Sequence, residues 1–362
     1  MFNFLEKINY KKILMNNTDP LDLLERLNIT DDSNKISSPD VLILTKKMDI
    51  ESDLLGIQLL KNGIEYVKIT EEDIPLKFGV EFSIGETNKF IFKLGKRVFD
   101  CKNIKLVLFR YFDLKFLEYY TGVYQLYFQQ QWYQLFNYLQ TILKCTWINH
   151  PINTFEAENR LNQLLIAKQL GFNVPETSIT NVSESGQTFL ESHANNTIVK
   201  VLHHHEIISK QVSHRFLTTN VNPDMVSKFD QLKFAPLIFQ EQIPNQEEIR
   251  ITIVGNKLFP VKITTNKDKN EYSDLHKIQE KDLRFQHLEI DKKFRRMCLK
   301  MNRVLGLSIS SLDFIVNSSG VVYFLEVNPI GDWNWLEQHL KLSITETLLR
   351  LIKKYLKDTQ NP

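Results

Sequence analysis

Residues 312–337 read LDFIVNSSGVVYFLEVNPIGDWNWLE. Two apolar runs, LDFIV and VVYFLEV, flank the turn-rich NSSG, which is the pattern of a β-hairpin. With the turn centred on Ser318 and Ser319, Val316 pairs with Val321 and Asp313 with Phe324. Glu326 lies two residues beyond Phe324 and Asn328 two beyond that. Side chains two apart on a strand share a face, so Asp313, Glu326 and Asn328 are predicted on one face. Diagonal neighbours of this kind lie roughly 7–8 Å apart, within joint reach of one ion. Three oxygen donors without His or Cys favour a hard cation, Mg²⁺ before Mn²⁺. So few protein ligands leave positions for water and phosphate oxygens. The plainer reading, polar residues on a solvated strand face, must set two mutually repelling carboxylates in an otherwise apolar hairpin. Pro329 and Gly331 then break the chain ahead of Trp333 and Trp335, which read either as walls that keep a site dry or as core packing.

Upstream, APLIFQEQIPNQEEIRITIVGNKLFPVKIT (235–264) reads as strands LIFQEQI, IRITIVG and LFPVKIT, with PNQEE as a connection and GNK (255–257) as a tight turn. Glu241, Glu248, Arg250 and Lys262 make a mixed-sign set that by itself would form surface ion pairs. NTIVKVL (196–202) is a strand with Lys200 inside an apolar run; such a lysine is costly unless it meets an anion or lies on an exposed strand face. ENRLNQLLIAKQLGFNVP (158–175) places Leu161, Leu164, Leu165, Ala167 and Leu170 on one helix face and stops with a Gly and a Pro.

Further back, DVLILT (40–45), the helical DIESDLLGIQLLKNG (49–63) and IEYVKIT (64–70) form a strand–helix–strand unit. It has no GxGxxG, so a dinucleotide-binding reading is weak. Strand signals continue to about residue 112. From 113 to 147, Tyr124, Phe128, Leu135, Leu139 and Ile142 fall at helical spacings, predicting a long amphipathic helix whose aromatic stripe is core, with a peptide-docking face as the alternative. Before all this, the polar TDDSNKISSPD (30–40) sets off an N-terminal extension. The predicted division is an extension (1–38), an α/β domain (39–150), a central subdomain (151–238) and a C-terminal subdomain bearing the metal site (239–362).

A chain of 362 residues exceeds one ordinary core. Charged residues at 24% and hydrophobic ones at 43% read as globular, and 45 Lys+Arg against 43 Asp+Glu leave +2, no field to recruit nucleic acid. Cys101, Cys145 and Cys298 are widely spaced and read as reduced thiols. No apolar signal core and no spanning run occur, so no membrane partner is predicted and the cytoplasm is the expected compartment.

LDFIVNSSGVVYFLEVNP resembles the metal-binding end of an ATP-grasp ligase. Within that superfamily, ENRLNQLLIAKQLGFNVPETSITN, APLIFQEQIPNQEEIRITIVGNKLFP and EVNPIGDWNWLE together resemble the maturases of ribosomally made peptides, the microviridin-type or graspetide ligases, from about Asp40 to the C-terminus. The resemblance implies an α/β ATP-grasp fold: an N-terminal pre-ATP-grasp domain, then two α+β subdomains that hold the nucleotide between them. It implies ATP and two Mg²⁺ ions, with Mn²⁺ as a substitute. Lys200 matches the strand lysine that holds phosphates, and Arg160 stands where the family usually has the lysine of an ENK motif. Gln240, Glu241 and Ile243 match the segment that meets adenine, Glu248 an acidic position near the ribose, and Lys262 joins the nucleotide set. Arg250 matches the residue that steadies phosphate and an acyl-phosphate intermediate, while Asp313, Glu326 and Asn328 match the magnesium ligands.

Two departures stand out. VLHHHEIISK after Lys200 lacks glycines, and His203, His204 and His205 read as a polar lid; SDLH offers Asp274 but His276 where the family often has arginine. The implied activity is ATP-dependent activation of Asp/Glu side chains in a precursor peptide with leader and core segments, followed by intramolecular ester or amide formation. A homodimer is left open. The alternatives are a ligase joining a free amino acid to a small acceptor or protein end, and a non-catalytic ATP-binding protein, which has no need of Lys200, Arg250, Asp313, Glu326 and Asn328 together.

Overall fold

The computed structural model describes residues 38–74, 77–112, 123–193, 196–202, 206–209, 212–215, 218–221, 230–265 and 282–359. The extension ahead of Ser38, the His203–His205 run, Asp274 and His276 lie outside them.

Strand β1 (Val41–Thr45) is buried at every position, and helix α1 (Ile50–Lys61) leads from it to β2 (Tyr66–Thr70). An antiparallel trio follows, β3 (Phe78–Ser83), β4 (Lys89–Leu94) and β5 (Arg97–Asp100), and then β6 (Leu106–Phe109), α2 (Val123–Ile142) and β7 (Thr146–Ile148). β1, β2, β6 and β7 form one parallel sheet in the order β2-β1-β6-β7. Continuous apolar runs suit it because both faces are covered. Leu42 and Leu44 face the trio and α2, while Val41 and Ile43 face α1 and residues of the chain's C-terminal end. On α2, Phe128, Leu139 and Ile142 of the expected stripe join the core around the trio's phenylalanines, with Trp132 and Phe136 in place of Leu135. Leu126, Tyr127, Tyr133 and Tyr138 stay exposed.

Helices α3 (Pro151–Ala157) and α4 (Arg160–Leu170) come next. Asn159 caps α4, its Oδ1 accepting the Asn162 N–H, and Gly171 ends it in the left-handed region at φ 89°. Then β8 (Thr177–Thr180), α5 (Ser183–Ser192), β9 (Thr197–Lys200), a small hairpin of β10 (Glu206–Ser209) and β11 (Val212–Arg215), β12 (Thr219–Asn220) and β13 (Leu237–Glu241) follow. They build an antiparallel sheet, β12-β9-β13-β8, with Phe189, Leu190 and Phe239 in its core.

The last sheet is antiparallel, β16-β15-β14-β17-β18, from β14 (Asn245–Val254), β15 (Lys257–Thr265), β16 (Leu283–His287), β17 (Ile309–Asn317) and β18 (Val322–Asn328). β14 starts at Asn245, taking in residues expected in a connection, with a bulge between Asn245 and Glu247. Helix α6 (Lys292–Val304) and α4 cover one face, where Leu164, Ala167, Cys298 and Met301 meet Ile251, Leu312, Phe314 and Phe324. The chain ends in α7 (Asn334–Leu340) and α8 (Ile344–Asp358); α8 packs with α1 against the parallel sheet. Among the described residues no helix is long and apolar enough to cross a membrane.

β18 is an edge strand, and side-chain amides take the place of a neighbour. Gln163, buried on α4, donates to the Val327 and Ala157 carbonyls and accepts the Val327 N–H. Asn173 donates to the Val322 carbonyl, and its own carbonyl accepts the Phe324 N–H. Gln163→Ala leaves buried backbone groups of Val327 unpaired, so we expect a stability loss of about 1–3 kcal/mol in urea unfolding, each orphaned group costing its desolvation. A loss no larger than that of an exposed substitution would show that β18 does not depend on the amide.

Candidate active site

The β17–β18 hairpin turns one residue later than the sequence suggested. Asn317 N–H bonds to the Val321 carbonyl, Gly320 closes the turn at φ 79°, and Val316 pairs with Val322. A one-residue slip alone would send Glu326 to the opposite face. A bulge restores it: Phe314 pairs with Phe324, the register shifts past Leu325, and Asp313 pairs with Glu326 instead of Phe324. Phe324 therefore points into the core while Glu326, two residues on, points with Asp313. Asn328 pairs with Ser311 on that same face. The predicted face of the three residues holds, though by a different register, and Asp313 and Glu326 stand directly opposite instead of diagonally.

Across this face run two charged or polar rows. Arg250 on β14 pairs with Asp313, which pairs with Glu326; Thr252 pairs with Ser311, which pairs with Asn328. Arg250 places its Nη1 3.2 and 3.1 Å from the two Asp313 oxygens, and Arg160, at the start of α4, sits 3.0 Å from Glu326. The first row thus reads cation, anion, anion, cation. Two adjoining carboxylates are each compensated by an arginine from outside the hairpin. The Arg250 Nε is buried with no hydrogen-bond partner among the described residues, and its guanidinium lies 5.7 Å from the Trp335 ring. Asn328 Oδ1 accepts the N–H groups of Ile330 and Gly331 at 3.0 and 2.9 Å, so its side chain has a fixed direction. Gly331 is required there: it sits at φ 56°, and a Cβ would come 3.0 Å from Ser311 Oγ.

These donors fit a hard cation. Two opposed carboxylates and a carbonyl oxygen are all oxygen ligands, and the arginines show that the pair needs positive charge beside it. Among the described residues no three His, Cys, Asp or Glu side chains gather, so the protein supplies a partial ligand set, not a cage.

Lys200 ends β9 and faces away from the Phe239 core. Its Nζ donates to Gln240 Oε1 at 2.9 Å, and Gln240 Nε2 donates to Thr177 Oγ1 at 2.9 Å, a chain across three strands. Glu241 alternates to the other side and accepts the Glu176 N–H, and Ile243 is buried just beyond. Glu248 shares the Arg250 face two residues away. Lys262 does not join them. It pairs with Ile249, on the opposite face of the sheet from Arg250, and forms an ion pair with Glu247 at 3.3 Å.

The tryptophans separate. Trp333 is fully buried, packs in the core shared by β1, α1 and α8, and donates its Nε1–H to Thr345. Trp335 is part-buried beside Phe285 and Arg250, with its Nε1–H on the Asp332 carbonyl. Only Trp335 borders the charged row.

The sequence reading missed the anchor of this loop. Arg110, buried just past β6, binds Asp49 through Nε and Nη2 at 2.9 and 3.1 Å, reaches Asp332 at 3.3 Å and donates to the Ile330 carbonyl at 3.0 Å. Tyr111 O–H also bonds Asp332, and Glu51 accepts the N–H groups of Trp333 and Asn334 at the start of α7. A charge directly after the buried LVLF was the available signal. Burial pushes the Asp49 pKa up, but the Arg110 charge and hydrogen bonds from Arg110 and Thr45 outweigh it and hold the carboxyl below its usual range. A carboxylate depressed in the folded state stabilises it above the ordinary aspartate range, and that contribution is lost as pH falls through the lowered value.

The RimK-like ATP-grasp domain matches residues 157–352, more than half of the chain and all of the charged row. The chain belongs to the RimK-like ATP-grasp family. It is accordingly an ATP-dependent, ADP-forming carboxylate ligase in fold and class. No curated protein matches it in sequence. Among solved ATP-grasp structures, the macrocyclase MdnC of Microcystis aeruginosa, bound with its precursor peptide MdnA, is 25% identical, covering 87% of this chain and 99% of its own at a TM-score of 0.77. The ATP-grasp ligase of Chryseobacterium gregarium associated with ribosomally made peptides, in complex with ADP and a leader and core peptide, is 22% identical over 87% of this chain and 97% of its own, also at 0.77. PsnB, complexed with a minimal precursor, Mg and ADP, is 16% identical at a TM-score of 0.68, covering 89% of this chain and 99% of its own. The last two likenesses speak to the fold alone.

Proposed function

We propose that this ligase closes rings in a precursor peptide, activating Asp or Glu side chains with ATP and joining them to a hydroxyl or amine of the same peptide. The observation that carries the reading is the compensated row Arg250–Asp313–Glu326–Arg160 across the last sheet. The likeness to MdnC, which was solved with a precursor peptide, supports a peptide as substrate.

Asp313, Glu326 and Asn328 would hold Mg²⁺, two ions in the proposed site, with Mn²⁺ as a substitute. When bound, the metal neutralises phosphate charge so that two anions can meet. The protein's own residues do the rest. Arg250 and Arg160, which now compensate Asp313 and Glu326, would turn toward phosphate oxygens when the carboxylates are otherwise neutralised. The Arg250 Nε, without a partner among the described residues, has a hydrogen bond to give. Lys200, already held by Gln240, places its charge on the opposite sheet, and the backbone of the Gln240, Glu241 and Ile243 segment meets the adenine with Glu248 toward the ribose. A peptide carboxylate oxygen attacks the γ-phosphorus and ADP leaves; the hydroxyl or amine then attacks the acyl carbon, the acyl–oxygen bond breaks, and the departing phosphate takes the nucleophile's proton. Trp335 shields the acyl phosphate from water.

Lys200→Ala should weaken ATP binding roughly ten- to a hundredfold, the weight of a charge-assisted contact of about 1.5–3 kcal/mol. Unchanged calorimetric affinity would remove Lys200 from the site. The test of the function is mass spectrometry of a short precursor peptide encoded beside the chain, incubated with the enzyme, ATP and Mg²⁺. Products lighter by one water per bond, with ADP and phosphate released, are expected. A product heavier by an amino acid would instead identify a ligase that adds a free amino acid to an acceptor.

A further inference from the structure

In the parallel sheet, β2 lies outside β1 and β7 outside β6, so the connections run in opposite directions from the β1–β6 pair. The carboxyl ends of such a pair are a switch point, where open α/β sheets bind ligands. Here that place is filled by the chain's own segment 329–334. Arg110, just after β6 and 2% exposed, is held by Asp49 from beyond β1 and spends its Nη1–H on the Ile330 carbonyl. Asn149, just after β7 and 1% exposed, donates from Nδ2 to the Pro329 and Ile309 carbonyls at 2.8 Å each. Its Oδ1 accepts the N–H groups of Ser308 and Ile309, at the foot of β17. Pro329 and Ile330 thus have their carbonyls gripped from the N-terminal sheet, while the amides of Ile330 and Gly331 aim Asn328.

We propose that Arg110 and Asn149 are positioning residues for Asn328, and that the ligand crevice of the N-terminal sheet serves to fix the metal end of the site. This rests on the reading of Asn328 as a metal ligand. Neither residue touches the carboxylate row. Each holds a peptide carbonyl one or two residues past Asn328, so that the turn amides, and through them the Asn328 side chain, keep one orientation.

The test uses Mn²⁺ bound to the full chain with ADP, titrated by electron paramagnetic resonance. Arg110→Lys keeps the buried positive charge for Asp49 but lacks the planar fork that also reaches Ile330. It should lower Mn²⁺ affinity about tenfold or more, the usual cost of losing a residue that orients a ligand, with metal-free ADP affinity unchanged and kcat reduced more than KM for ATP. Because Arg110 is buried, Asp332→Asn is the second variant: Asp332 is 45% exposed, folding should be retained, and the loss should be smaller and in the same direction. Folded variants that hold Mn²⁺ as the unaltered chain does, while Asn328→Ala loses it, would overturn the positioning role alone. Asn328→Ala with unchanged Mn²⁺ affinity would remove the ligand reading and the proposal with it.

Discussion

Glu326→Gln should abolish most bond formation, lowering turnover by roughly a hundredfold or more, the scale of removing one preorganised electrostatic element. The amide has the same size, so the paired strand and its bulge should persist. What changes is charge. Asp313 is left as the lone carboxylate of the row, Arg160 loses the Glu326 charge, and two cations then flank one negative charge at the proposed metal site. Peptide binding should survive, because recognition away from the reacting carboxylate need not involve this row. Steady-state turnover, peptide affinity by fluorescence anisotropy and the thermal transition separate these effects. Turnover near that of the unaltered chain, from a folded Glu326→Gln protein, would mean the row is not the reaction centre.

Trp333→Ala should be the most damaging single change to stability, at about 3–5 kcal/mol for a buried large-to-small substitution. The indole is fully buried where the parallel sheet, α1 and α8 meet, and Arg110 lies 4.6 Å from its ring. Removing it opens a cavity between residues far apart in sequence and leaves Thr345 without the Nε1–H. Urea unfolding would give the difference directly. A cost below that of an exposed substitution would return Trp333 to the site wall, where the sequence also allowed it.

How the sequence and structure agree is instructive at the hairpin. The alternation of polar and apolar residues placed Asp313, Glu326 and Asn328 on one face, and they share it. The register was wrong, because the NSSG turn is one residue longer than a two-residue loop and Leu325 is bulged; the two departures cancel in parity. Nothing in LEVN marks the bulge, which is set by Phe324 entering the core and Gln163 pairing Val327. The strand–helix–strand start and the α4 helix with its Gly171 stop were local patterns and legible as such; the faces were less so, since Leu161 and Leu165 of the expected α4 face are exposed and Trp132 and Phe136 take the place of Leu135 in the α2 core. Lys262 misled because strand parity must be counted from a partner: beside Ile249 it faces away from Arg250. The Arg110 and Asn149 grips were out of reach for a deeper reason. Their partners lie 180 to 222 residues away, at Pro329, Ile330 and Asp332, and no periodicity links such positions.

The most direct measurement follows the oxygen. A precursor peptide carrying ¹⁸O in its Asp and Glu side-chain carboxylates is treated with the enzyme, unlabelled ATP and Mg²⁺, and the released phosphate is weighed. Attack by a side-chain carboxylate on the γ-phosphorus makes that oxygen the bridge of an acyl phosphate, and displacement at carbon leaves it with the phosphate. One ¹⁸O per phosphate, with one ring bond formed per ATP consumed, is the predicted result. Ring closure accompanied by unlabelled phosphate would contradict the account, since the peptide carboxylate would then never have been phosphorylated.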